Sequence, residues 1–141
     1  MKRITRIICM ILVFSMILAI PCHAVEQEQR ASNYFSSYKA YCYESSSTQL
    51  AVYFSVFAVD TMDEIGASTI RVQRSSDGSN WTTVKTFTKA NYPQMIDTNT
   101  IGHAKTLYCT KTSGYYYRAH VEFYAKNSAG TGYYYYYTAK I

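Results

Sequence analysis

Leu50-Ala51-Val52-Tyr53-Phe54-Ser55-Val56-Phe57-Ala58-Val59 is the stretch that decides the fold. Its even positions are all apolar, while the odd positions mix Tyr53 and Ser55 with apolar residues. A period of two is the mark of a strand with one face against a core, so the even side chains should point inward. Working outward, the same alternation recurs on both sides. Asn33 to Glu44 reads as a first strand, ended by the turn Ser45-Ser46-Ser47-Thr48. Met62-Asp63-Glu64-Ile65-Gly66 reads as a connector, one helical turn closed by glycine. Thr69 to Arg74 and Trp81 to Thr88 flank Ser75-Ser76-Asp77-Gly78-Ser79-Asn80, a hairpin loop in which Gly78 tolerates positive φ and Asp77 caps local backbone.

Asn91 to Gly102, with Pro93, reads as a long loop. Lys105 to Thr110 follows as a strand, then a turn at Ser113-Gly114. Tyr115 to Lys126 is the longest expected strand. Tyr115, Tyr117, Ala119, Val121, Phe123 and Ala125 share one face; Tyr116, Arg118, His120, Glu122, Tyr124 and Lys126 share the other, which should meet water. Thr131 to Lys140 closes the sheet. About seven strands with regularly spaced turns and no long helix predict an all-β, antiparallel sandwich of the immunoglobulin or fibronectin type III kind.

The chain opens with Met1, Lys2, Arg3 and Arg6, an apolar run from Ile7 to Ile20, and Pro21-Cys22-His23-Ala24. Basic, apolar and small in that order is a secretory signal peptide, cleaved after Ala24. Its apolar run is short for a membrane span, which needs roughly 20 residues. Residues 25–31 read as a flexible leader, and residues 32–141 as a single domain. Loss of the signal removes three of the 14 basic residues and none of the nine acidic ones, so the formal charge falls from +5 to about +2, too little to argue for nucleic acid or an anionic membrane. Cys9 and Cys22 leave with it. Cys42 and Cys109 remain, and in an oxidising compartment they should form one disulfide. Closing that loop of roughly 67 residues would stabilise by about 4 kcal/mol in the chain-entropy picture.

Ile70-Arg71-Val72-Gln73-Arg74-Ser75-Ser76-Asp77-Gly78-Ser79-Asn80-Trp81-Thr82 resembles the third strand and following hairpin of a fibronectin type III domain. Tyr117-Arg118-Ala119, with Ala125-Lys126-Asn127-Ser128-Ala129-Gly130-Thr131-Gly132, resembles its sixth strand and the turn after it. The gap between Arg118 and Asn127 exceeds the family's by about four residues, an even number that keeps every side chain on its face. Ala31-Ser32-Asn33-Tyr34-Phe35-Ser36-Ser37-Tyr38, Met62-Asp63-Glu64-Ile65-Gly66-Ala67 and Phe123-Tyr124-Ala125 are similar to small secreted proteins of Gram-positive bacteria that form a domain family of unknown function. That resemblance implies a signal peptide and a small sandwich. It implies no activity.

Composition singles out one feature. All 16 tyrosines lie beyond the signal, more than a small sandwich can turn inward while satisfying each hydroxyl. Exposed tyrosines offer rigid area with a hydrogen-bonding tip, which suits recognition of sugars or proteins. Candidate ligand contacts are Tyr116, Arg118, Tyr124, Tyr135 and Tyr137. Nothing nominates a catalytic centre: His103 and His120 read as solvated, the acids are scattered, and Asp60, Asp63 and Glu64 lack a calcium-loop pattern. The expected role is a secreted, non-enzymatic binding module for a glycan or protein, with no metal and no cofactor. Self-association is the alternative, because Tyr133 to Thr138 carries no charge and no proline. A small secreted hydrolase is the remote one.

Overall fold

The computed structural model describes residues 33–141. The signal peptide of 1–24 and the leader of 25–31 lie outside the described residues. The remainder is all-β: one antiparallel sheet, curled into a half-barrel, built from β1 (Phe35–Ser46), β2 (Gln49–Ser75), β3 (Thr82–Thr88), β4 (Ile96–Thr110), β5 (Tyr116–Asn127) and β6 (Gly130–Tyr137).

β2 is the spine, and its length follows from where its backbone finds partners. Its first half pairs with β1 on one edge (Cys42 opposite Val52) and with β4 on the other (Leu50 opposite Cys109). Its second half pairs with β5 on the first edge (Arg71 opposite His120) and with β3 and the start of β4 on the second. The strand therefore exchanges β1 for β5 without breaking. Two irregularities make this possible. The pairing with β4 jumps between Phe57 and Met62, and that with β5 shifts between Ala67 and Thr69. Each extra residue resets which face is inward. Leu50, Val52, Phe54 and Val56 are buried at even positions, Ile65 and Ala67 at odd ones, and Ile70 and Val72 at even ones again.

This overturns the expected connector. Met62–Gly66 is strand rather than a helical turn, so the two strands read at 50–59 and 69–74 are one. Asn91–Gly102 is likewise shorter as a loop than expected: a 3-10 turn at Pro93–Met95 leads straight into β4. His103 consequently lies on a strand, half-buried, with its ring 5.7 Å from Phe54 and Nε2 donating to the Gln94 carbonyl at 2.9 Å.

Curling brings β1 over β5 and β6. Tyr38 lies 5.6 Å from Phe123 and 4.0 Å from Tyr134, and Phe54 meets Phe123 edge-on at 6.4 Å. Phe35, Ala40, Val121 and Ala125 fill the space around them. The hairpin at 75–82 is organised by Asp77, whose carboxylate accepts from the Ser79 and Asn80 amides, both at 2.8 Å, and from the Ser75 hydroxyl at 2.8 Å. These donors hold its pKa far below the usual carboxylate range. Tyr117, buried at the start of β5, turns its hydroxyl back to the chain. It accepts from the Thr112 amide at 2.9 Å and donates to the Thr112 carbonyl at 3.2 Å.

The expected Cys42–Cys109 bridge is not formed; both cysteines are free thiols. The register gives the reason. β1 and β4 flank β2, with Cys42 opposite Val52 and Cys109 opposite Leu50, so the two residues stand two strand spacings (about 9–10 Å) apart across the sheet and two residues apart along it. A disulfide spans at most about 7 Å between Cα atoms. Burial, with Cys109 nearby, pushes the Cys42 thiol up to about 12, and burial raises Cys109 as well, so both should react slowly while folded. Unfolding without reductant should expose two alkylatable thiols by intact mass; a mass unchanged by alkylation would mean the bridge forms after all.

Gly66 allows the turn of β2 against β4. At φ +156, a Cβ there would stand 2.0 Å from the Met95 carbonyl oxygen. Gly66→Ala should cost on the order of 3 kcal/mol or more, read as a lower urea midpoint with little change in slope.

Candidate functional site

The outer face of β3, the second half of β2, β5 and β6 is assembled from rows of cross-strand neighbours. Gln73 faces Arg118; Arg71 faces His120 and then Tyr137; Thr69 faces Glu122 and then Tyr135; Gly66 faces Tyr124 and then Tyr133. Outward placement follows from the period-two pattern of β5, whose other side chains (Tyr117, Ala119, Val121, Phe123 and Ala125) are buried.

Arg118 is the centre of this face. Its guanidinium carbon lies 4.3 Å from the Trp81 ring and 4.6 Å from the Tyr137 ring, and its Nε donates to the Gln73 side-chain oxygen at 2.8 Å. A guanidinium between two aromatic faces gains from both ring quadrupoles and loses much of its rotamer freedom. His120 stacks on Tyr137 at 4.3 Å and 15° and on Tyr135 at 5.8 Å and 21°. Burial lowers the His120 pKa, and Arg71 and then Arg118 push the same way against the opposing pull of Glu122. The Ser68 hydroxyl donates to the Glu122 carboxylate. Burial, reinforced by Glu122, raises Tyr135.

The five residues expected at the site divide. Arg118, Tyr135 and Tyr137 come together; the two tyrosines are 45% and 52% exposed. Tyr116 is exposed on the same face but belongs to its end, against the 75–82 hairpin, with the Lys140 ammonium 5.4 Å from its ring. Tyr124 corrects the expectation. It lies on the outer face but is only 5% exposed. Gly66 stands opposite it in the ladder, the Lys89 ammonium lies 3.7 Å from the Tyr124 ring, and Tyr133 closes the other side at 5.5 Å. Lys89 also reaches Glu64 at 3.2 Å, so Tyr124 belongs to a sealed structural cluster. Tyr115 departs too: it precedes β5 and is exposed, with Arg74 4.3 Å from its ring.

Sequence reading missed Trp81, Gln73, Arg71 and Tyr133 as members of this face, and it treated His120 as merely solvated. Their positions depend on the pairing of β2 with β3 and β5, and no local pattern carries that register. A further aromatic group occupies the outer face of β1, β2 and β4, where Tyr41 stacks on Tyr53 at 6.1 Å beside exposed Tyr43 and Tyr108. Among the described residues, no three His, Cys, Asp or Glu side chains converge as a metal site, and no helix is long and apolar enough to cross a membrane.

The depressed His120 pKa makes a prediction about stability. Folding favours the neutral ring, so the contribution is complete above the unfolded value near 6.5 and is lost as pH falls through the lower folded value. Thermal midpoints should drop between about pH 7 and pH 5, and His120→Gln should flatten that part of the profile.

No protein-family model, curated protein or solved structure matches this chain.

Proposed function

We propose that the chain is a secreted, non-enzymatic binding module that holds an extracellular glycan on the outer face of β5 and β6. One observation carries this reading. Tyr133, Tyr135 and Tyr137 form an exposed ring-bearing row along β6, and Arg118 extends it inward to Trp81. Sugar rings have apolar faces that stack on aromatic rings, while their hydroxyls use hydrogen-bonding tips at the rim. Holding Arg118, His120 and the tyrosines against one another lowers the entropy that binding must overcome.

Secretion rests on the basic, apolar and small order of residues 1–24. The fold reading within this proposal is a two-layer immunoglobulin-like sandwich. Supporting it, the curl of the sheet brings Tyr38 of β1 against Phe123 of β5 and Tyr134 of β6. The return of the Tyr117 hydroxyl to Thr112 is the kind of contact such domains make at this strand. Kinship with the small secreted proteins of Gram-positive bacteria belongs to the same reading.

A second reading is favoured by the position of β6. It ends the strand order β1-β2-β5-β6, so its outer edge has no strand partner among the described residues. A second copy could pair there.

Pull-down by insoluble polysaccharides should retain the wild-type protein and lose a Tyr135→Ser/Tyr137→Ser variant that keeps its circular dichroism and melting behaviour. Equal retention of both would remove β6 from the site. Absence of retention, with a mass in solution that rises with concentration, would favour self-pairing.

A further inference from the structure

The binding face carries an unbalanced charge. Lys89 and Lys126 share Glu64, Lys111 is paired with Glu44, and His103 stands 3.7 Å from Asp97. Asp77 is taken up by its own turn, and Glu122 faces Ser68 and Tyr135. Arg71 and Arg118 stand close together on the outer face, and neither has a carboxylate within ion-pair distance among the described residues. Gln73 faces Arg118 and Arg71 faces His120, which puts the two arginines on a diagonal of the β2–β5 pair. Diagonal neighbours stand about 7–8 Å apart, so Arg71 meets a like charge at Arg118 on one diagonal and the Glu122 carboxylate, already engaged by Ser68, on the other. Arg118 spends one of its five N–H donors on Gln73 and has no other protein acceptor among the described residues.

We propose that the ligand of this face is an acidic polysaccharide, whose carboxylate or sulfate groups are held by Arg71 and Arg118 while its sugar rings rest on Tyr135 and Tyr137. This deepens the glycan-binding reading and rests on it. An anion between the two guanidinium groups removes their repulsion and accepts the donors that Arg118 has left over. The aromatic rings decide for a saccharide over a simple anion, because the exposed tyrosines adjoin the arginines on the same face. Acid groups recur along such a polymer, so each bound ring brings the next one to the row.

His120 gives the binding a pH dependence. The groups facing it are Arg71 from β2, Arg118 and Glu122 from β5, and Tyr135 and Tyr137 from β6. Without ligand the arginines oppose its protonation. A bound anion offsets them and favours the imidazolium, so by linkage the anion binds more tightly as pH falls.

The test is affinity electrophoresis of the purified protein in gels containing polygalacturonate, fully methyl-esterified polygalacturonate, chondroitin sulfate or unsulfated chondroitin, at low salt. Polygalacturonate should retard the protein at least about tenfold more strongly than its ester, with the same ranking for the chondroitin pair if sulfate is the preferred acid. Arg71→Gln and Arg118→Gln should each remove about tenfold of the acid-specific part, with the melting temperature checked for both. Affinity for polygalacturonate should rise from about pH 8 to about pH 5.5, and His120→Gln should abolish that rise. Equal binding to polygalacturonate and its ester, together with equal binding to sulfated and unsulfated chondroitin, would overturn the acidic ligand and leave the aromatic face standing. No retardation by any polysaccharide would overturn both.

Discussion

Every part of this molecule depends on the need of β2 to satisfy two edges of backbone over 27 residues. A strand that long in a flat sheet would leave one layer and no core. Exchanging β1 for β5 as partner, while β4 and then β3 hold the opposite edge, folds the sheet over itself and keeps the ladder continuous. The irregularities at 57–62 and 67–69 allow the change of direction, and Gly66 permits the close approach of Met95. The aromatic contacts of Tyr38, Phe54 and Phe123 are the interior of the bend.

The outer face inherits its order from the same strand. Arg71 and Gln73 are held in step with Arg118 and His120 by the β2–β5 ladder, and β6 adds its tyrosines to the rows so formed. The aromatic rings are therefore positioned by backbone hydrogen bonds rather than by a flexible loop. Arg118 is confined further by the rings on each side of it. What results is a preset arrangement whose side chains have little conformational freedom left to lose.

The sequence was legible wherever structure is local. The inward positions of β5 and the Asp77-Gly78 turn follow from alternation and turn chemistry, and both are found. The outward row Arg118, Tyr135 and Tyr137 was legible for the same reason. Reading stopped at the bulges. An extra residue breaks the period that marks a strand, so Met62–Gly66 looked like a connector and one strand looked like two. Long-range pairing was illegible for a different reason. Cys42 and Cys109 seemed natural partners until the register placed β2 between them, and Tyr124 seemed open until Lys89 and Tyr133 closed over it. Trp81 looked like a hairpin anchor because its contact with Arg118 joins residues far apart in the chain.

The contact between Trp81 and Arg118 has an optical meaning. Trp81 is the only tryptophan in the chain, and its ring lies 4.3 Å from a guanidinium at the centre of the candidate site. All of the indole emission therefore originates at that face, where its colour and intensity respond to the charge and water beside it. A tryptophan locked in a core reports only unfolding; this one, beside a surface guanidinium, is a built-in fluorescent gauge of changes at the outer face.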